Sequence, residues 1–169
     1  MIVRAERTGD IDAIREVNLR AFGQPQEADL VDALRANGAV LASLVAVSGG
    51  SVVGHILYTP VTIDCDGREI GGAGLGPMAV LPERQGEGIG GRLIEAGSRV
   101  MSEQGHPFVI VVGHPGYYPR FGFEPAERYG LRCEWEVPRE AFMVCVLEPA
   151  RMAGVSGRVK YREEFSRYG

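Results

Sequence analysis

Gln85-Gly86-Glu87-Gly88-Ile89-Gly90 carries the clearest chemical signal in the chain. An apolar stretch, Met78-Ala79-Val80-Leu81, and a break at Pro82 precede it, and a helical pattern follows through Leu93, Ile94, Gly97, Val100 and Met101. Glycines let the backbone turn sharply and approach a ligand closely. The first N–H groups of the helix that follows have no partner within it and point where the helix dipole favours negative charge. The chemistry predicted is the grip of a phosphorylated ligand.

Two common phosphate cradles fail on spacing. A Walker loop needs a lysine and then serine or threonine after its last glycine, and Arg92-Leu93 follows Gly91. The dinucleotide pattern Gly-x-Gly-x-x-Gly is present as Gly86, Gly88 and Gly91, but its strand should run straight into the first glycine. Here Leu81-Pro82-Glu83-Arg84-Gln85 intervenes, and the next strand ends in Gly113-His114-Pro115 rather than in an acid for a ribose hydroxyl.

The elements that must position the turn are legible around it. Met1–Ala5 reads as a strand, and Ile11, Ile14, Val17, Leu19 and Phe22 give a first helix after Thr8-Gly9-Asp10. A second helix is predicted from about Glu27 to Ala36, stopped by Asn37-Gly38. Val40–Val47 and Val52–Ile63 form a hairpin about Ser48-Gly49-Gly50-Ser51, and a third strand returns from Asp64-Cys65-Asp66-Gly67 toward Val80. Phe108–Val112 is a continuous apolar run suited to a strand buried on both faces, so strand, glycine turn, helix and strand make a βαβ unit. Later strands are predicted near Gly130–Trp135 and Phe142–Leu147. Beyond Pro149 the tail is polar and poorly periodic, with Tyr161, Phe165 and Tyr168 available to dock it.

Composition bounds the classes of function. A chain of 169 residues that is 45% hydrophobic is sized for one domain with a substantial core. Cys65, Cys133 and Cys145 are odd in number and unpaired in spacing, and His55, His106 and His114 lack ligand spacing, so neither a disulfide framework nor a metal is expected. A net charge of -4 argues against tracking a nucleic-acid backbone, and no apolar run is long enough to cross a membrane, which reads as a cytoplasmic protein.

Gln85-Gly86-Glu87-Gly88-Ile89-Gly90 matches Gln/Arg-x-x-Gly-x-Gly/Ala, the pyrophosphate motif of the GCN5-related N-acetyltransferases, and the chain resembles that family. Gly76-Pro77-Met78-Ala79-Val80-x-Pro82 resembles the family's splayed fourth strand, and Tyr118-Pro119-Arg120-Phe121-Gly122-Phe123 resembles its Tyr-x-x-x-Gly-Phe segment. Gly113-His114-Pro115 through Phe123 is most similar in wording to the bacterial YhbS-like subgroup. The resemblance covers roughly Met1 to Leu147. It implies an α/β fold, a GNAT-like mixed and mostly antiparallel twisted sheet flanked by helices with a central βαβ cofactor-binding unit. It implies one N-acetyltransferase domain over residues 1–169, with a core of about 1–147 and a C-terminal extension of 148–169.

The resemblance further implies acetyl-CoA as cofactor, CoA as product, and direct transfer to a primary amine of a small-molecule or peptide acceptor; homodimerisation is compatible with it. Arg84, Gln85, Gly86, Glu87, Gly88, Ile89 and Gly90 would hold the pyrophosphate. Met78, Ala79 and Val80 would pair with the pantetheine arm, with an N–H near Val80 polarising the thioester carbonyl. Tyr118, four residues before the glycine of Gly-Phe, is the expected general acid for the departing thiolate, with Tyr117 its neighbouring rival.

The base is less defined. Making a lysine-like amine neutral at pH 7 costs about 4.6 kcal/mol, which a base or desolvation must offset. Glu27 lies where the family contacts acceptor, though a carboxylate at a helix start also suits the dipole alone. His55 inside a strand reads as a core or sheet-edge histidine, and Cys133 as an inert thiol. A CoA-binding module without turnover and a transferase of longer acyl chains are the competing functions.

Overall fold

Apolar residues at three- and four-residue spacing fold into helices, and alternating or continuous apolar runs fold into strands, and as far as Val112 they come in the order the patterning predicts. In the structure, a computed structural model describing residues 1–168, the elements in chain order are β1 (Ile2–Ala5), α1 (Ile11–Phe22), α2 (Gln26–Ala36), β2 (Ala42–Ser48), β3 (Ser51–Cys65), β4 (Arg68–Val80), α3 (Ile89–Glu103), β5 (Phe108–Val112), β6 (Glu124–Pro125), β7 (Leu131–Cys133), β8 (Phe142–Val146), α4 (Pro149–Met152), β9 (Gly157–Lys160) and α5 (Glu164–Tyr168). The chain divides into two units. The first comprises Met1–Thr59, Gly76–Gly97 and the residues from Glu163 on, and the second Pro60–Leu75 and Ser98–Arg162.

In the first unit β1 pairs antiparallel with β2 from Ile2↔Val47 to Ala5↔Leu44, and β2 pairs antiparallel with β3 from Ala42↔Tyr58 to Ser48↔Ser51. Its core joins Ile14 of α1, Leu30, Val31 and Leu34 of α2, and Val45 and Leu57 of the sheet. α1 ends on Gly23 in the left-handed conformation, φ 67°, so the joint to α2 is a sharp turn. The end of the chain closes over this core: Phe165 and Tyr168 of α5 pack against it, and Asn37 Nδ2 donates to the buried Glu164 carboxylate at 2.9 Å.

In the second unit β4 and β5 run parallel, Ala73↔Val109 to Leu75↔Val111, which is the expected βαβ pairing through α3. β8 pairs antiparallel with β5 from Phe108↔Val146 to Val112↔Phe142, and β6 with β8. Phe108, Val109, Ile110 and Val111 are buried as a doubly covered strand requires, whereas Val112, where the strand emerges, is 41% exposed.

The tail beyond Pro149, where the sequence shows no clear period, carries a further strand. β9 pairs antiparallel with β3 from Thr62↔Lys160 to Asp64↔Arg158 and parallel with β7 from Leu131↔Gly157 to Cys133↔Val159. Only Val159 of this strand is fully buried, so a four-residue segment carries too little alternation to be read from sequence. Gly157 permits the pairing: at φ 135° a Cβ there would overlap the carbonyl oxygen of Asp64. Tyr161 docks as expected, stacked on Trp135 with ring centroids 4.8 Å apart. Mostly antiparallel pairing, two parallel pairs and flanking helices make this the mixed α/β fold expected.

Candidate functional site

The glycine turn belongs to the first unit and is built outward from β3. Gly54 lies in the middle of that strand, and a Cβ there would come within 3.0 Å of Ile89 Cγ2, 3.1 Å of Leu93 Cδ1 and 3.4 Å of the Ala79 carbonyl oxygen. Its bare α-carbon therefore lets the first turns of α3 settle close against the sheet beside Ala79 of β4. Ile89 and Leu93 are buried there. Further along the same helix, Gly97 gives Tyr58 the same access, since a Cβ at Gly97 would overlap the Tyr58 hydroxyl and ring. A glycine inside an apolar strand pattern is the signal that would have located Gly54.

Between β4 and α3 the loop is braced by its own polar groups. Leu81 N–H donates to Val53 O at 3.0 Å, Pro82 opens a single 3-10 turn, and Gln85 Nε2 donates back to the Val80 carbonyl at 3.1 Å. Arg84 Nε donates to both Glu87 carboxylate oxygens at 2.9 and 3.1 Å, and its Nη2 donates to Ser48 Oγ at 3.3 Å. Exposed Glu83 takes an ion pair from Arg20 of α1 at 2.7 Å.

Gly86 and Gly88 adopt φ 83° and 81°, a conformation that costs other residues about 1–2 kcal/mol. Both are exposed, and no atom beyond their chain neighbours lies within 4 Å of where their side chains would begin. Among the described residues no backbone carbonyl accepts from the N–H of Gly86, Glu87 or Gly88. Arg92 N–H, reaching back to Gly88 O at 3.2 Å, starts the helical ladder. Open N–H groups, open space over the glycines and a helix start fit a pyrophosphate.

Met78, Ala79 and Val80 form the end of β4 and belong to the first unit. Ala79 is buried, Met78 and Val80 half-buried. Glu27, on the first turn of α2, is half-buried and accepts from Gln24 Nε2 at 3.0 and 3.1 Å, which ties it to the α1–α2 joint.

In the second unit Tyr118 begins a 3-10 turn, Tyr118–Phe121, ended by Gly122 at φ 89°. Its ring is 8% exposed and meets Tyr117 and Phe123 edge-on at 5.3 and 5.6 Å. Burial, with Tyr117 adding to it, pushes the phenol up to about 12, so it keeps its proton at neutral pH. Tyr117 is less buried, and burial raises it despite the Arg120 guanidinium 4.8 Å over its ring.

Two side chains weighed as catalytic groups are placed elsewhere. His55 is fully buried in a chain of hydrogen bonds within the first unit. Asn18 Nδ2 donates to Ile14 O and to His55 Nδ1 at 2.9 and 3.1 Å; His55 Nε2 donates to Ser43 Oγ at 2.9 Å; Ser43 Oγ donates to Glu6 Oε1 at 2.5 Å, and Arg35 holds the same carboxylate. Burial pushes His55 down to about 4, and it is a structural histidine out of reach of any acceptor. Cys133 lines a cavity of about 780 Å³ in the second unit, with its thiol raised by burial, so it is not an activated nucleophile. All three cysteines are free, and no cluster of histidine, cysteine and carboxylate among the described residues is arranged to hold a metal.

A mixed sheet with a parallel βαβ pairing, and an open glycine turn at a helix start, define the class as an α/β protein with a turn suited to a phosphorylated ligand. A family profile described as an acetyltransferase (GNAT) domain matches residues 3–126, and the chain belongs to that family. It is 36% identical to the uncharacterized N-acetyltransferase YhbS of Escherichia coli strain K12 over 169 residues, 99% of this chain and 100% of the relative. The solved structure of GNAT family N-acetyltransferase (YhbS) from Escherichia coli in complex with CoA superposes with a TM-score of 0.93 at 35% identity, covering 99% of this chain and 93% of that one. A GNAT family acetyltransferase from Brucella melitensis, solved in complex with acetyl-CoA, gives 0.81 at 38% identity and 97% coverage of each. The protein is thus an acetyltransferase of the fold and subgroup expected from its motifs. No helix among the described residues is long and apolar enough to cross a membrane.

Proposed function

We propose that the protein transfers the acetyl group of acetyl-CoA to a primary amine. The observation that carries this is the open cradle, where Gly86 and Gly88 at positive φ leave unengaged N–H groups beneath clear space at the start of α3. Relatives at 35% and 38% identity solved with CoA and acetyl-CoA support the same ligand. Arg84 through Gly90 would grip the pyrophosphate, chiefly by backbone N–H, because the Arg84 side chain is committed to Glu87 and Ser48. The last residues of β4, Met78, Ala79 and Val80, would offer the pantetheine arm a strand edge.

The amine nitrogen bonds to the thioester carbon, the carbon–sulfur bond breaks, the nitrogen gives up a proton and the sulfur ends protonated. Tyr118 is the group proposed to serve the sulfur. A phenol near 12 facing a thiolate of ordinary value near 8.5 would need about 5 kcal/mol to hand its proton over completely. Tyr118 therefore acts by donating a hydrogen bond that strengthens as charge builds on sulfur. Glu27 is proposed on the acceptor side, a small-molecule or peptide amine. The profile match runs through segments of both units, which supports reading residues 1–169 as one N-acetyltransferase domain. A metabolic thioester as co-substrate suits a cytoplasmic enzyme.

Calorimetric titration with acetyl-CoA, beside NADH and ATP, tests the proposal. Saturable acetyl-CoA binding in the wild type, lost by at least about 100-fold in Gly88→Glu, is the expected result, because the new side chain meets both backbone strain and phosphate repulsion. No binding by the folded wild type, or tighter binding of NADH, overturns it.

A further inference from the structure

We infer that Gly113 is a positioning residue for Tyr118, its bare α-carbon being the surface on which the phenol ring is set. The inference rests on the reading of Tyr118 as the hydrogen-bond donor to sulfur. Gly113 follows directly on β5 in the second unit, and its backbone lies outside the left-handed region, so conformation alone does not demand glycine there. Space does. A Cβ at Gly113 would overlap Cε2 of the Tyr118 ring and lie 2.8 Å from Cδ2 and 3.2 Å from Cζ.

Neither partner has room to withdraw. Gly113 N–H donates to Ala141 O at 2.9 Å, continuing the β5–β8 ladder one step past Val112↔Phe142, so its backbone is tied to the sheet. Tyr117 and Tyr118 N–H groups both reach back to His114 O, at 3.0 and 3.3 Å, and fold the intervening turn onto the strand end. Tyr117 and Phe123 confine the Tyr118 ring edge-on. The ring is thus held by two aromatic edges and one glycine, and only the glycine can be enlarged without removing an aromatic contact. A methyl group at residue 113 must push the ring, and with it the hydroxyl, because the backbone beneath is fixed.

Gly113→Ala, Tyr118→Phe and the double variant test this, with acetyl-CoA turnover read as thiol release using n-butylamine as acceptor. Gly113→Ala is expected to lose about tenfold or more in kcat, with KM for acetyl-CoA within about twofold of wild type. The double variant should fall no further than Tyr118→Phe alone. Equal losses from Gly113→Ala in both backgrounds, or full kcat in Gly113→Ala while Tyr118→Phe is impaired, overturn the inference. Full activity in Tyr118→Phe overturns instead the role given to Tyr118. The placement itself is judged independently by thermal unfolding: Gly113→Ala should lower Tm in the wild type and not in Tyr118→Ala, where the ring is gone. The same loss of Tm in both backgrounds overturns the placement, and this arm reads even a variant too unstable for kinetics.

Discussion

Lowering the pH from 7 to 4.5 is expected to weaken the fold mainly through His55. Its surroundings set the sign. Asn18 Nδ2 can serve Ile14 O and His55 Nδ1 together only if Nδ1 carries no proton, and the reverse amide orientation would set Asn18 Oδ1 against the Ile14 carbonyl oxygen. The remaining proton sits on Nε2 and is spent on Ser43, whose own hydroxyl is spent on Glu6. Burial, the dominant cause, takes the imidazole from its ordinary 6.5 to about 4. Between those values the unfolded chain binds a proton that the folded chain refuses, so stability is complete above about 6.5 and falls as pH drops toward 4. At pH 4.5 the loss is about 2.5 kcal/mol, against a typical total of about 5–15 kcal/mol.

The neighbouring acids act lower on the scale. Asp10 is held at about 2 by hydrogen bonds from Arg4 and from the Arg7 backbone; for Glu6 the cost of burial is outweighed by Arg35 and Ser43, for a net lowering. Their contributions are present above their ordinary values of 3.8 and 4.5 and are lost as pH falls below them. His106, lowered by burial, adds a slope of the same sign as His55 and is removed by working in a His106→Gln background. Urea unfolding at intervals from pH 7 to 4.5 then reads the slope, and His55→Gln should flatten it whatever it does to absolute stability. An unchanged slope in His55→Gln would refute the assignment of the buried neutral tautomer.

Other outcomes follow from the same contacts. Gly97→Ala drives a methyl group into the Tyr58 ring beneath α3 and should cost about 1–3 kcal/mol by urea unfolding. Tyr118→Phe should lower kcat by about ten- to a hundredfold while calorimetry gives unchanged acetyl-CoA affinity, since the phenol is proposed to act on sulfur and not on the pyrophosphate. Arg20→Ala breaks an exposed ion pair with Glu83 and should change stability by no more than about 0.5 kcal/mol. A larger effect there would mean that the pair organises the loop before α3.

Much of the fold is local and therefore legible. Ile11–Phe22 and Ile89–Glu103 are helices because their apolar residues recur at helical spacing, and Phe108–Val112 is a strand because five apolar residues in a row need both faces covered. The cradle is equally local, since Gly86, Gly88 and a helix start within a few residues suffice to define it. Four-residue β9 was not legible, because its pairing with β3 and β7 rests on partners about 25 to 100 residues away and on the bare backbone of Gly157.

Sequence by itself determined the family and singled out the proposed cradle and phenol, because each is written in contiguous residues whose types have local consequences. Only the tertiary structure decided that His55 is sealed behind Asn18 and Ser43, that the Arg84 side chain is committed to Glu87 and Ser48, and that Gly54 and Gly113 are glycines for the sake of a helix and a ring packed against them. Those facts depend on which distant surfaces meet, and a side chain's chemistry is set by what lies within a few ångströms of it rather than by its neighbours along the chain.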